Sequence, residues 1–158
     1  MVIKLMSVLC LLLMMYQQSS TLKFSVVSID ADVAREAIKM WVDDNIHIMQ
    51  VDDESAADVV IRLMDESYMS AKKLNGEQIG RIININRSRK FNSLEMRNLI
   101  AHEVGHFLGK PHDAEPSSIM NSAVPLSKRT IDASTKNMWK FRAYIMMQKA
   151  RSMLIINK

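Results

Sequence analysis

Cysteine is almost absent from this 158-residue chain: the single one, Cys10, lies inside an apolar run near the start. One thiol cannot close an intramolecular disulfide, so the fold must rest on its own core, and the length suffices for one domain with such a core. Long hydrophobic runs are also missing. Leu5 to Tyr16 is the most apolar stretch, and it is too short for a comfortable membrane span. No basic motif interleaved with aromatics is present, so no nucleic-acid partner is expected. Asp52-Asp53-Glu54 lacks the spaced oxygen ligands of a dedicated calcium loop and reads as a solvated turn, so Ca²⁺ is not favoured.

The start of the chain has the form of a targeting segment. Lys4 supplies a positive n-region, residues 5–16 an apolar core, and Gln17-Gln18-Ser19-Ser20 a polar end. Residues 1–20 are therefore expected to be a signal peptide cleaved after Ser20, leaving a secreted, extracellular domain over 21–158. Left uncleaved, residues 5–16 would serve as a membrane anchor. Cleavage removes Cys10, so the mature chain carries no disulfide, unusual for a small secreted protein. Charge is unevenly spread: residues 21–66 hold 11 acidic and 4 basic side chains, and residues 67–158 hold 6 and 16. Two solvated faces explain this more simply than steering of an anionic partner.

Leu22 to Ile29 is a β-branched, partly alternating run and predicts a first strand. Asp30 or Asp32 then caps a helix with Val33, Ala37, Met40 and Trp41 as its apolar stripe. Ile46 to Val51 predicts a second strand; its His47 reads as a surface residue. Ala57 to Met64 predicts a third, with Ala57, Val59, Ile61 and Leu63 on one face. Lys72 to Gly80 is turn-rich, containing Asn75-Gly76 and Gly80, and Arg81 to Asn86 predicts a further strand. Asn86-Arg87-Ser88 is a glycosylation sequon, usable if the chain passes through a glycosylating compartment. Thr130 or Asp132 is expected to cap a final helix buried through Met138, Phe141 and Ile145. From residue 133 onward there are six basic residues and no acid, a pattern that allows weak association with an anionic membrane or a glycosaminoglycan. A solvated back of a closing helix is the preferred reading. A monomer is expected.

The most informative stretch is His102-Glu103-Val104-Gly105-His106-Phe107-Leu108-Gly109-Lys110-Pro111-His112-Asp113. Leu94, Met96, Leu99, Ile100, Val104, Phe107 and Leu108 recur at helical spacing, with Ser93 as the expected N-cap and Glu95 in the first turn. His102 and His106, four apart on such a helix, project from one face and can hold one Zn²⁺. Glu103, about 100° round the helix, is placed to act on water rather than to ligate. Gly109 can leave the helix in the left-handed conformation and Pro111 stops it resuming, so His112 returns as a third ligand. Three neutral imidazoles leave a fourth position open, the pattern of a catalytic rather than a structural site.

His-Glu-x-x-His-x-x-Gly-x-x-His, followed by Met120 in Ser118-Ile119-Met120-Asn121, resembles the metzincin zinc endopeptidases. The chain is most similar to a minimal matrixin catalytic domain, with Asp113 resembling the reprolysin group. The resemblance implies an α+β, zincin-like fold: a twisted mixed sheet of four or five strands, two packed helices including the zinc helix, and a small C-terminal subdomain with the Met-turn and final helix. It implies one catalytic Zn²⁺ on His102, His106 and His112, with Glu103 as general base and acid. Gly109, Asp113 and Met120 are then structural supports, Met120 forming an apolar floor below the metal. Protein or peptide substrates would lie extended along an edge strand near Gln78 to Arg81, in a cleft lined by Gln78, Ile79, Gly80, Val124 and Pro125. The alternative is a secreted binding protein on the same fold, acting through its basic face.

Overall fold

The computed structural model describes residues 20–42, 46–64, 66–71, 74–123 and 125–129. Among the described residues, five strands and three α-helices follow one another as β1 (Ser20–Val27), α1 (Ala31–Lys39), β2 (Ile46–Gln50), β3 (Val59–Met64), α2 (Glu66–Ala71), β4 (Gly76–Ile79), β5 (Ile82–Asn86) and α3 (Ser93–Phe107). The strands form one sheet in the order β2-β1-β3-β5-β4. All neighbours run parallel except β4, which pairs antiparallel with β5. The mixed α+β sheet expected from the sequence is present. The predicted final helix lies outside the described residues.

Alternation sets the buried face of the sheet. Leu22 and Phe24 of β1, Val59 and Ile61 of β3, and Ile83 and Ile85 of β5 join one apolar cluster with Ala34, Ala37 and Ile38 of α1 and Leu99, Ile100, Ala101 and Val104 of α3. Both helices therefore cover the same side, and α1 packs directly on α3. The opposite face is polar in part. There Arg62 Nε donates to Asn84 Oδ1 at 3.0 Å, across the register pair Arg62–Asn84.

Several boundaries differ from the sequence-based expectation, each for a local reason. β1 ends at Val27 rather than Ile29, because Ser28 turns the chain with φ 61° and Asp30 already caps α1, accepting from Asp32 N at 2.8 Å. The turn at Asp52-Asp53-Glu54 leads into a short 3₁₀ segment, Glu54–Ala56, capped by Asp53, which accepts from Ser55 N at 2.8 Å. α3 is capped by Asn92, not Ser93. With Asn92 as cap, Glu95 stands at the third helical position and the two exchange hydrogen bonds, Glu95 N to Asn92 Oδ1 at 2.9 Å and Asn92 N to Glu95 Oε2 at 3.1 Å. Leu94, placed in the buried stripe by spacing, is exposed in the first turn of α3.

The segment read as turn-rich contains β4. Asn75-Gly76 is not a hairpin turn; the turn is Gly80-Arg81, closing Ile79 on Ile82. Gly80, at the first central position, has φ 59°, where a two-residue hairpin loop of type II′ calls for glycine. Consequently the edge strand spans Gly76–Ile79, and Gly80 and Arg81 lie in its turn rather than along its edge.

Candidate metal centre

α3 places His102 and His106 one turn apart, and its C-terminus delivers His112. Leu108 caps the helix and Gly109 adopts φ 79°. Lys110 N then donates to Gly105 O at 2.9 Å and Gly109 N to His106 O at 2.8 Å, the paired bonds of a Schellman turn. The reversal does two things at once. It swings His112 back over the helix, and it presents Lys110 O to His106 Nδ1 at 2.8 Å.

The three rings meet through Nε2. His102 to His112 and His106 to His112 are 3.1 Å apart, and His106 to His102 is 3.2 Å. His102 Nδ1 lies 2.7 Å from Ile119 O. A carbonyl only accepts, so Nδ1 carries the proton in both His102 and His106, and both Nε2 atoms present lone pairs. Their 3.2 Å approach therefore brings two acceptors together, which calls for a cation between them. Four-coordinate zinc with bonds of about 2.0–2.1 Å has ligand–ligand edges of roughly 3.3–3.4 Å, so the observed triangle fits such an ion. Burial also keeps these rings neutral: it lowers His102 to about 4, and lowers His106 as well, against the carbonyl contacts that raise them. Exposed His47 on β2 takes no part in the cluster.

Glu103 follows His102 but points elsewhere. It is 5% exposed, and its carboxyl lies against the backbone of Gly76 in β4. Burial raises its pKa to about 7, helped by nearby Glu77 and opposed by Arg129.

Met120 is fully buried beneath the helix. A side chain at Gly105 would collide with Met120 Sδ and come within 2.7 Å of Trp41 Cζ2, so the glycine between the two histidines is a notch that Met120 and Trp41 fill. Trp41 Nε1 also donates to Ala101 O at 2.7 Å. Asp113 fastens the Met120 turn: its Oδ2 accepts from Ser118 Oγ at 2.6 Å, and that Oγ accepts from Met120 N at 3.1 Å. The same turn carries Ile119 O. One short network therefore links the residue after His112 to the carbonyl that orients His102.

The expected cleft residues are less concentrated. Gln78 and Ile79 lie in β4, with Ile79 exposed and Gln78 Nε2 donating to Gly80 O. They sit further along the strand than Gly76, the residue that actually meets Glu103. Pro125 is exposed and begins the 3₁₀ segment Leu126–Lys128; Val124 lies outside the described residues. Asn86, the sequon asparagine, is 2% exposed. Its Nδ2 donates to Leu74 O at 2.8 Å while its Oδ1 accepts from Ser88 N and Oγ, at 3.0 and 2.6 Å. A glycan on that nitrogen has no room in this fold.

Three contributors carry no sequence signal. Gly76 is one. Asn98, fully buried one turn before His102, donates to Leu126 O at 2.7 Å and Arg129 O at 3.1 Å, tying the segment after the Met120 turn to α3. Arg129 is 8% exposed, with Nη1 3.4 Å from His102 Nδ1 and Nη2 donating to Ser122 O at 3.3 Å. Burial lowers its pKa while Glu103 holds it up.

No family model matches the chain, and no curated protein matches it in sequence. Its fold does match. A crystal structure of archaemetzincin from Methanopyrus kandleri superimposes with a TM-score of 0.53 at 13% identity, over 78% of this chain and 94% of that one. A structure of myroilysin gives 0.40 at 12% identity over 60% and 50%, too low to carry weight. The fold is thus metzincin-like, and it holds a three-histidine cluster where a metal ion fits.

Proposed function

We propose that this chain is a zinc-dependent endopeptidase, secreted through residues 1–20, that hydrolyses peptide bonds in extended protein segments. The carrying observation is the convergence of three Nε2 atoms within 3.2 Å, beside a buried acid and an edge strand. Three imidazoles are a donor set suited to zinc. The placement as a minimal matrixin with a reprolysin-like Asp113 rests on the motif, and the archaemetzincin likeness supports the broader metzincin class.

A zinc ion held there supplies Lewis-acid polarisation of the scissile carbonyl and lowers the pKa of a water to about 7. His102 and His106 keep their lone pairs aimed because Ile119 O and Lys110 O hold the opposite edges of the rings. Glu103 accepts the proton of the attacking water as its oxygen bonds to the carbonyl carbon. It then returns that proton to the leaving amine as the C–N bond breaks. Burial favours the protonated form of this carboxyl, which supports its holding the proton between the two transfers. Among the described residues, the outer edge of β4 pairs with no strand, so an extended substrate can add there through main-chain hydrogen bonds.

The test is hydrolysis of a quenched-fluorescent peptide library by the chain from Thr21, with and without a zinc chelator, beside Glu103→Ala. Internal cleavage abolished by chelation and by the variant is the expected result. A folded, zinc-loaded protein that cuts nothing in the library would contradict the proposal.

A further inference from the structure

All four glycines of this chain lie in described residues, and only one of them faces the acid. Gly80 and Gly109 have positive φ and open space around the missing side chain, so they serve turns. Gly105 makes room for Met120 and Trp41. Gly76 belongs to neither type. Its φ is not in the left-handed region, it sits in the ladder opposite Ile85, and glycine inside a strand weakens it. A Cβ at this position would lie 2.7 Å from Glu103 Oε1 and 3.1 Å from Glu103 Cδ and Cγ, and these are its three nearest atoms.

We propose that the bare backbone of Gly76 is the seat of the Glu103 carboxyl, which makes Gly76 a positioning residue for the reaction. The inference rests on Glu103 being the base. Glu103 is held at its backbone, because it lies within the last two turns of α3 between His102 and His106, whose rings are held by carbonyls at 2.7 and 2.8 Å. The carboxyl is the movable end. A methyl group at residue 76 therefore leaves the strand and the histidines in place and swings the carboxyl off its seat. The cost falls on the chemical step rather than on metal or substrate binding. The edge strand thus does more than offer hydrogen bonds: its one residue without a side chain sets where the proton acceptor stands.

The experiment is Gly76→Ala made in the full chain, alone and together with Glu103→Ala. Three quantities are read: bound zinc per chain, kcat and KM on a cleaved peptide, and the thermal midpoint of the metal-free protein. The single variant is expected to keep its zinc and its KM while kcat falls about tenfold to a hundredfold, the scale of an ångström-sized misplacement. In the midpoint measurement, Gly76→Ala is expected to be better tolerated when Glu103 is also truncated than when it is intact. Additive midpoint shifts, or an unchanged kcat, would overturn the proposal. The midpoint cycle needs no catalysis, so a protein that cuts nothing yet shows the non-additive shift would refute the peptidase reading and leave the seat standing.

Discussion

Replacing Glu103 with Gln in the metal-free protein should change how stability depends on pH, and the size of the change follows from two buried neighbours. Glu103 has a folded pKa raised from 4.5 to about 7, so the folded state holds a proton that the unfolded chain releases. Its contribution therefore weakens folding as pH rises from about 4.5 to 7. At about 1.4 kcal/mol per pH unit this amounts to roughly 3 kcal/mol. His102 works in the other direction. Its folded pKa is lowered from 6.5 to about 4, so the unfolded chain binds the extra proton and folding gains roughly 3 kcal/mol as pH rises across that window. In the wild-type protein the two slopes oppose between about pH 4.5 and 6.5, with the lowered pKa of His106 adding to that of His102. Glu103→Gln removes one of them. Urea denaturation with a chelator present, at half-unit steps from pH 4.5 to 7.5, should show the variant gaining on wild type by about 1.4 kcal/mol per unit, up to roughly 3 kcal/mol at pH 7. Parallel curves for the two proteins would refute the burial of Glu103 as described.

Two further outcomes follow from packing. Gly105→Ala should gain about 1 kcal/mol of helix propensity but lose about 1–3 kcal/mol to overlap with Met120 and Trp41, for a net destabilisation in denaturant titration. An increase in stability would mean that the notch is not filled. Asn86→Ala should cost about 1–3 kcal/mol, because it leaves Leu74 O without its donor, and secreted protein should show no glycan at residue 86 by intact mass. A glycosylated Asn86 in folded protein would contradict the burial seen here.

Much of the metal cluster could be read from the sequence because its geometry is local. Helical spacing aligns His102 with His106, and the left-handed turn at Gly109 returns His112, all within eleven residues. What escaped the sequence depends on contacts between distant segments or on local ambiguity. Ser93 and Asn92 are both good caps, and only the reciprocal bond with Glu95 selects Asn92. Asn75-Gly76 looks like a turn, yet Gly76 answers to Glu103, which lies in α3. Asn86-Arg87-Ser88 satisfies a sequon, but the same residue types make a turn in which Ser88 bonds to Oδ1 of the buried Asn86. Asn98 binds backbone carbonyls far along the chain, and Arg129 lies beside the distant His102 ring, so no spacing rule reveals them. The six-residue α2 is too short to show a period.

Zinc content is the most direct measure of the central claim that His102, His106 and His112 form one metal site. The purified chain, dialysed against limiting zinc, should retain one ion per molecule, and His112→Ala should lose tight binding while remaining folded by circular dichroism. A wild-type protein that is folded yet retains no stoichiometric zinc, or a His112→Ala variant that holds it as tightly, would contradict that claim.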